Sequence, residues 1–192
     1  KQTILGPLWF LLQPLFSTLI FTVVFGKIAK IPTDGLPPML FYMAGIVSWS
    51  YFANCLTSTS NTFIANAGIF GKVYFPRLTV PVSVVITNLL TFAIQFVLFF
   101  AIAAYFYLKG ADVQPNKWIL LFPLLLLQMG VLVLGFGILI SSLTTKYRDL
   151  AMALTFGVQL WMYATPIVYP MSQVPEKWRG LYALNPMASI VE

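Results

Sequence analysis

The side chains that usually carry chemistry are scarce in this sequence, and the few present stand apart. There is no histidine, and Cys55 is the lone cysteine. The commonest general base and metal ligand is therefore missing, and no disulfide framework or zinc site can be assembled. The five acids, Asp34, Asp112, Asp149, Glu176 and Glu192, all fall in connections or at the chain end. Gly68-Ile69-Phe70-Gly71-Lys72 superficially resembles a phosphate-binding loop. Such a loop needs four residues between its glycines and a Ser or Thr after the lysine, and here Val73 follows. The sequence thus offers no catalytic or metal site and no cofactor of its own, and its energy source must lie elsewhere.

Aromatic rings are what remain, at 16% of the residues. Trp9, Phe10, Phe16, Phe21 and Phe25 crowd the first apolar stretch, and Trp49, Trp161 and Tyr163 lie inside later ones. A flat aromatic face stacks on the C–H face of a sugar ring and tolerates many hydroxyl patterns, so such residues suit the lining of a conduit for sugar polymers. Helix packing and lipid contact account as well for any one of them. Trp118 and Tyr169, at expected helix ends, need only an interfacial belt.

The elements that would position these rings follow from composition. Hydrophobic residues make up 59% of the chain and charged ones 8%, against roughly a quarter charged in an ordinary soluble domain. The mean hydropathy is +0.88. A chain so poor in charge cannot cover a water-facing surface, but it can cover a lipid-facing one. The net charge of +6 is too sparse for a nucleic-acid groove and suits loops against anionic headgroups.

The charged residues cluster, and the gaps between clusters set the topology. A helix needs about 20 apolar residues to cross the hydrocarbon core. Five gaps qualify: Gln2–Gly26, Gly35–Gly71, Leu78–Leu108, Trp118–Thr145 and Leu150–Pro175, the last shortened by Pro166 and Pro170. The expected fold is all-α, a polytopic membrane helical bundle with five spans in one transmembrane domain over 1–192. Lys and Arg divide nearly evenly between the two sides, so charge alone leaves the orientation open. The odd span count points to a sixth span beyond Glu192.

Two connections hold more than turn chemistry. Span two runs through Asn54, Ser58 and Asn61 into Ala67–Arg77, where Ile69, Phe70, Val73 and Tyr74 would share one face of a short surface helix that Pro76 breaks. After span five come Pro166 and Pro170, then two short amphipathic pieces. Pro175 suits a first helical turn, and Asn185-Pro186 is a cap followed by proline. The second connection reads as a helical hairpin beside the membrane.

These stretches together resemble the permease subunits of ABC-type polysaccharide exporters, which move O-antigen, teichoic acid or capsular chains. The resemblance rests on Leu5-Gly6-Pro7-Leu8-Trp9-Phe10 through Pro14, on Lys72-Val73-Tyr74-Phe75-Pro76-Arg77, on Tyr147-Arg148-Asp149, and on Thr165–Pro170 with Leu184-Asn185-Pro186. It implies a bacterial inner-membrane, six-span protomer, with an amino-terminal interfacial helix and a last span outside these 192 residues. It implies a homodimer and a separate ATPase subunit that binds ATP and Mg, with a lipid-linked polysaccharide as substrate. Lys72 to Arg77 would be the ATPase-coupling segment, with Phe75 as an apolar knob. Trp9, Phe16, Trp161 and Tyr163 would line the polymer path. Pro166, Tyr169, Pro170, Asn185 and Pro186 would form an extracytoplasmic gate hairpin.

Three rivals are weaker. A small-molecule, drug or lipid exporter would have fewer aromatics in spans one and five and a large external domain. A membrane enzyme acting on lipid-linked sugars would need acidic pairs or histidine. A non-pumping channel would have no ATPase partner.

Overall fold

The computed structural model describes residues 6–72, 74–111, 120–147 and 149–191, and of Pro7, Leu181 and Ala183 only the backbone. The described residues form helices and connections, with no strand among them. Helix α1 spans Trp9–Phe21 and continues as a π-helical stretch over Thr22–Ile28. Helix α2 spans Pro38–Ser60, and two single turns follow, α3 at Thr62–Ala65 and α4 at Ala67–Phe70. The long helices α5, Thr79–Leu108, and α6, Phe122–Thr144, come next. Helix α7 covers Asp149–Tyr163, α8 covers Glu176–Ala183 and α9 covers Ala188–Val191.

Four of these helical stretches are long and apolar enough to cross a membrane: Trp9–Ile28, Pro38–Ser60, Thr79–Leu108 and Phe122–Thr144. The chain is a multi-pass helical membrane protein. The fifth expected span is a shorter helix, because α7 has 15 residues and extends only about 22 Å at 1.5 Å per residue. Pro166 ends it by disfavouring helix at Thr165.

The chain divides into two compact units. The first is built from Lys1–Ser50, Thr91–Ile119 and Tyr163–Glu192, the second from Tyr51–Leu90 and Leu120–Met162. In the first unit the core lies on α2, where Leu40, Tyr42, Met43, Ile46, Val47 and Trp49 are buried. Trp49 is thus a packing residue, which explains an indole too deep for an interfacial belt. Pro14 sits inside α1 and cannot donate to the carbonyl of Phe10. Gln95 of α5, itself buried, donates its Nε2–H to that carbonyl at 3.1 Å. A freed backbone acceptor is thereby satisfied where the bilayer offers no water.

In the second unit the buried positions of α6 are Met129, Gly130, Val133, Gly137, Ser141 and Thr144. Their spacing of three and four places them on one stripe of the helix. Small residues on such a stripe allow close helix approach in membranes, where apolar burial against lipid gives little drive. A Cβ added at Gly137 would lie 2.6 Å from Thr59 Cγ2 and 2.7 Å from Thr59 Cβ. The Gly137 backbone meets the Thr59 side chain there with no room for a methyl group.

Candidate functional site

The connection after α2 is built differently from its sequence reading. The short helix expected to carry Ile69, Phe70, Val73 and Tyr74 on one face ends at Phe70, and Gly71 and Lys72 form a turn. Gly71, a poor helix former, directly follows its last residue, and Pro76 keeps helix from resuming at Phe75. Val73 lies outside the described residues.

Aromatic contacts now order this segment. Phe70 meets Phe63 edge-on at 6.0 Å between centroids and Phe75 in a tilted contact at 5.5 Å. The Arg77 guanidinium carbon lies 6.0 Å from the centre of the Phe70 ring, within reach of a cation–π attraction. Phe75, expected as the projecting knob, is half-buried against Phe70, while Tyr74 is fully exposed at 103%. The sequence shows two adjacent rings but not which one folds back. Lys72, Pro76 and Arg77 are exposed beside Tyr74.

The segment after α7 is buried rather than loop-like. Thr165, Ile167 and Val168 are buried, and Ile167 packs on Gly45 of α2. A Cβ at Gly45 would fall 2.8 Å from Ile167 Cγ2 and 3.4 Å from its backbone. Pro166 and Pro170 are buried as well. Asn185 donates from Nδ2 to Thr165 Oγ1 at 3.1 Å and to the Ala164 carbonyl at 3.3 Å, and its Oδ1 accepts from the Met187 N–H at 3.1 Å. One amide thereby ties the turn at Pro186 back to the end of α7. Tyr169 and Tyr182 share a hydrogen bond between their hydroxyls.

Asp34 also joins this group. Its backbone has φ of 48°, a left-handed geometry that aspartate tolerates better than most residues. Its Oδ1 accepts from Ser172 Oγ at 3.0 Å. Asp34, Ser172 and Arg179 line one part of a cavity of about 1070 Å³ whose other walls include Phe99, Phe100 and Tyr107. Asp34 carried no assignment from sequence beyond its place in a connection.

The aromatic residues singled out as path candidates separate into two kinds. Trp9, Phe16 and Tyr163 are exposed. Trp161 is half-buried and meets the buried Phe52 edge-on at 5.2 Å. On α7 the exposed large residues are Met152, Phe156, Leu160 and Tyr163, whose spacing places them along one face. Phe156 was missed in the sequence because α7 is apolar nearly all round, which hides its free side. Arg148, which helps to carry the resemblance above, lies outside the described residues.

A helical membrane protein with an exposed aromatic segment between spans two and three and a proline-broken, buried segment after α7 has the parts of a transport subunit. Residues 1–192 match the family described as ABC-2 type transporter, and the chain belongs to it. It is similar to an O-antigen export system permease protein RfbA of Klebsiella pneumoniae, 30% identical over 192 residues, covering 100% of this chain and 71% of that one. A protein of the same name from Myxococcus xanthus is 28% identical, with coverage of 100% and 72%. The polysialic acid transport protein KpsM of Escherichia coli is 21% identical, with coverage of 98% and 71%. The chain is therefore a transporter membrane subunit and not an enzyme, and its family implies a partnering ATP-binding subunit.

Proposed function

We propose that this chain forms the transmembrane channel of an ATP-driven exporter that moves a lipid-linked polysaccharide across the bacterial inner membrane. The observation that carries the reading is the match, over nearly all of this chain, to permeases named for O-antigen and polysialic acid export. The exposed rings of α1 and α7 support it, since two copies of the chain would surround a polymer with them. Deleting the gene should abolish surface polymer and leave the lipid-linked chain on the cytoplasmic side. Plasmid-borne permease should restore export only with an ATPase partner able to hydrolyse ATP. Normal surface polymer in the deletion strain would overturn the reading.

In this reading α7 and the buried stretch through Pro170 complete a fifth crossing. Non-helical backbone at membrane depth is tolerated where protein covers it, and Thr165, Ile167 and Val168 are covered. α8 and α9 then form the extracytoplasmic hairpin, with Asn185 as its tie. Lys72 and Lys146 would face the cytoplasm, Lys177 the outside. In a Cys55→Ala background, single cysteines replacing these lysines should react with an impermeant thiol reagent in spheroplasts only at position 177. Labelling at position 72 from outside would refute this topology.

The coupling segment is read as Lys72–Arg77, with Tyr74 entering a pocket on the ATPase and Phe75 holding it out. Tyr74→Ala and Phe75→Ala should both insert at normal abundance and lose export. They should part in cross-linking to the ATPase. A cysteine at position 77 should still reach the partner in Tyr74→Ala, whereas Phe75→Ala, which frees the segment from Phe70, should lose that cross-link. Equal cross-linking in both variants would leave Phe75 without a holding role.

A further inference from the structure

The junction between α2 and α3 shows how a push on the coupling segment is passed on. The α-helix breaks at Asn61, whose N–H turns back to the Ser58 carbonyl at 3.3 Å. A continuous helix would pair the Phe63 N–H and the Ser60 carbonyl with groups four residues away. Here both are met by hydroxyls of α6. The Phe63 N–H donates to Ser141 Oγ at 3.2 Å, and Thr144 Oγ1 lies 3.1 Å from the Ser60 carbonyl oxygen and 3.0 Å from that of Ser141, so its one proton is shared between the two acceptors. Thr59, Ser60, Ser141 and Thr144 are all fully buried. One helical turn further along α6, Gly137 lets Thr59 approach without space for a methyl. The contact is close, buried and polar at a break in the backbone, where a bend would otherwise be free to occur.

We propose that Ser141 and Thr144 form a transmission joint that locks the α2–α3 break onto α6. Phe63 lies at the root of the aromatic series through Phe70 and Phe75 to Arg77. Force applied at Tyr74 then reaches α6 as a shift of packed helices instead of being lost as bending at Asn61. Ser141 and Thr144 touch neither substrate nor ATPase, so they are positioning residues. The inference rests on the coupling role read above for Lys72–Arg77.

The test uses the full chain co-expressed with its ATPase. Thr144→Val keeps the shape and removes the hydroxyl, Thr144→Ser keeps the hydroxyl, and S141A/T144V removes both contacts. Membrane abundance, ATP hydrolysis, surface polymer and the cross-link from a cysteine at position 77 are measured for each. Thr144→Val and the double variant should reach normal abundance, cross-link and hydrolyse ATP. Polymer exported per ATP should fall by about fivefold or more, the lower end of site-to-site coupling, and Thr144→Ser should restore it. Unchanged polymer per ATP in the double variant overturns the joint. So does parallel loss of abundance and export in Thr144→Val, since the hydroxyl then serves folding alone. Absence of the cross-link in the chain that carries only the cysteine at position 77, with Ser141 and Thr144 intact, overturns the coupling reading instead, which separates the two failures.

Discussion

Gly137→Ala should lower the stability of the detergent-solubilised protein by about 1–3 kcal/mol, the usual cost of overpacking a tight interior, and Gly137→Val by more. The new methyl would fall 2.6 Å from Thr59 Cγ2 and 2.7 Å from Thr59 Cβ. Thr59 is β-branched and stiff about its first side-chain torsion, so it cannot swing aside cheaply. Gly135, two residues away on the same helix, is the matched control, because an added Cβ there meets nothing within 4 Å. Alanine is favoured over glycine in a helix by about 1 kcal/mol, and both substitutions share that gain. The difference between their thermal midpoints therefore isolates the clash. Equal midpoints would mean that α2 and α6 separate easily, and the close approach would then carry no strain.

The same contact shows why the sequence discloses spans more readily than faces. Four of the long uncharged gaps contain helices able to cross a membrane, because the distance between charged clusters is a one-dimensional quantity. The stop after Tyr163 was also legible, since Pro166 acts on its immediate neighbour. Faces were not, because helices apolar on every side carry no periodic signal to distinguish lipid from protein. Trp49 and Trp161 looked alike in the sequence, yet one is buried and the other half-covered by Phe52. Phe75 and Tyr74 differ only in which ring returns to Phe70, a choice made by chain direction after a break. The hydroxyls of Ser141 and Thr144 read as ordinary residues of a span, and only the backbone groups exposed at Asn61 give them a task.

Phe156→Leu should abolish most surface polymer while leaving abundance and thermal stability unchanged, and Trp161→Leu should do more harm to stability than to export. The contrast comes from their surroundings. Phe156 is 63% exposed on the same face of α7 as Met152, Leu160 and Tyr163, so replacing its ring loses little packing. What leucine cannot supply is a flat face for a sugar ring. Trp161 instead meets Phe52 edge-on, an aromatic pairing that contributes about 0.5–1.5 kcal/mol beyond buried area. Leucine is also smaller than tryptophan and leaves a void against a fully buried ring, which adds a cavity cost. Phe156→Tyr supplies the necessary counterpart, since it keeps the ring and should retain export. The measurements are membrane abundance, thermal midpoint in detergent and surface polymer for the three variants side by side. Full surface polymer in Phe156→Leu would make that face of α7 a lipid or packing surface. Loss of export with an unchanged midpoint in Trp161→Leu would place the uncovered side of Trp161 in the polymer path.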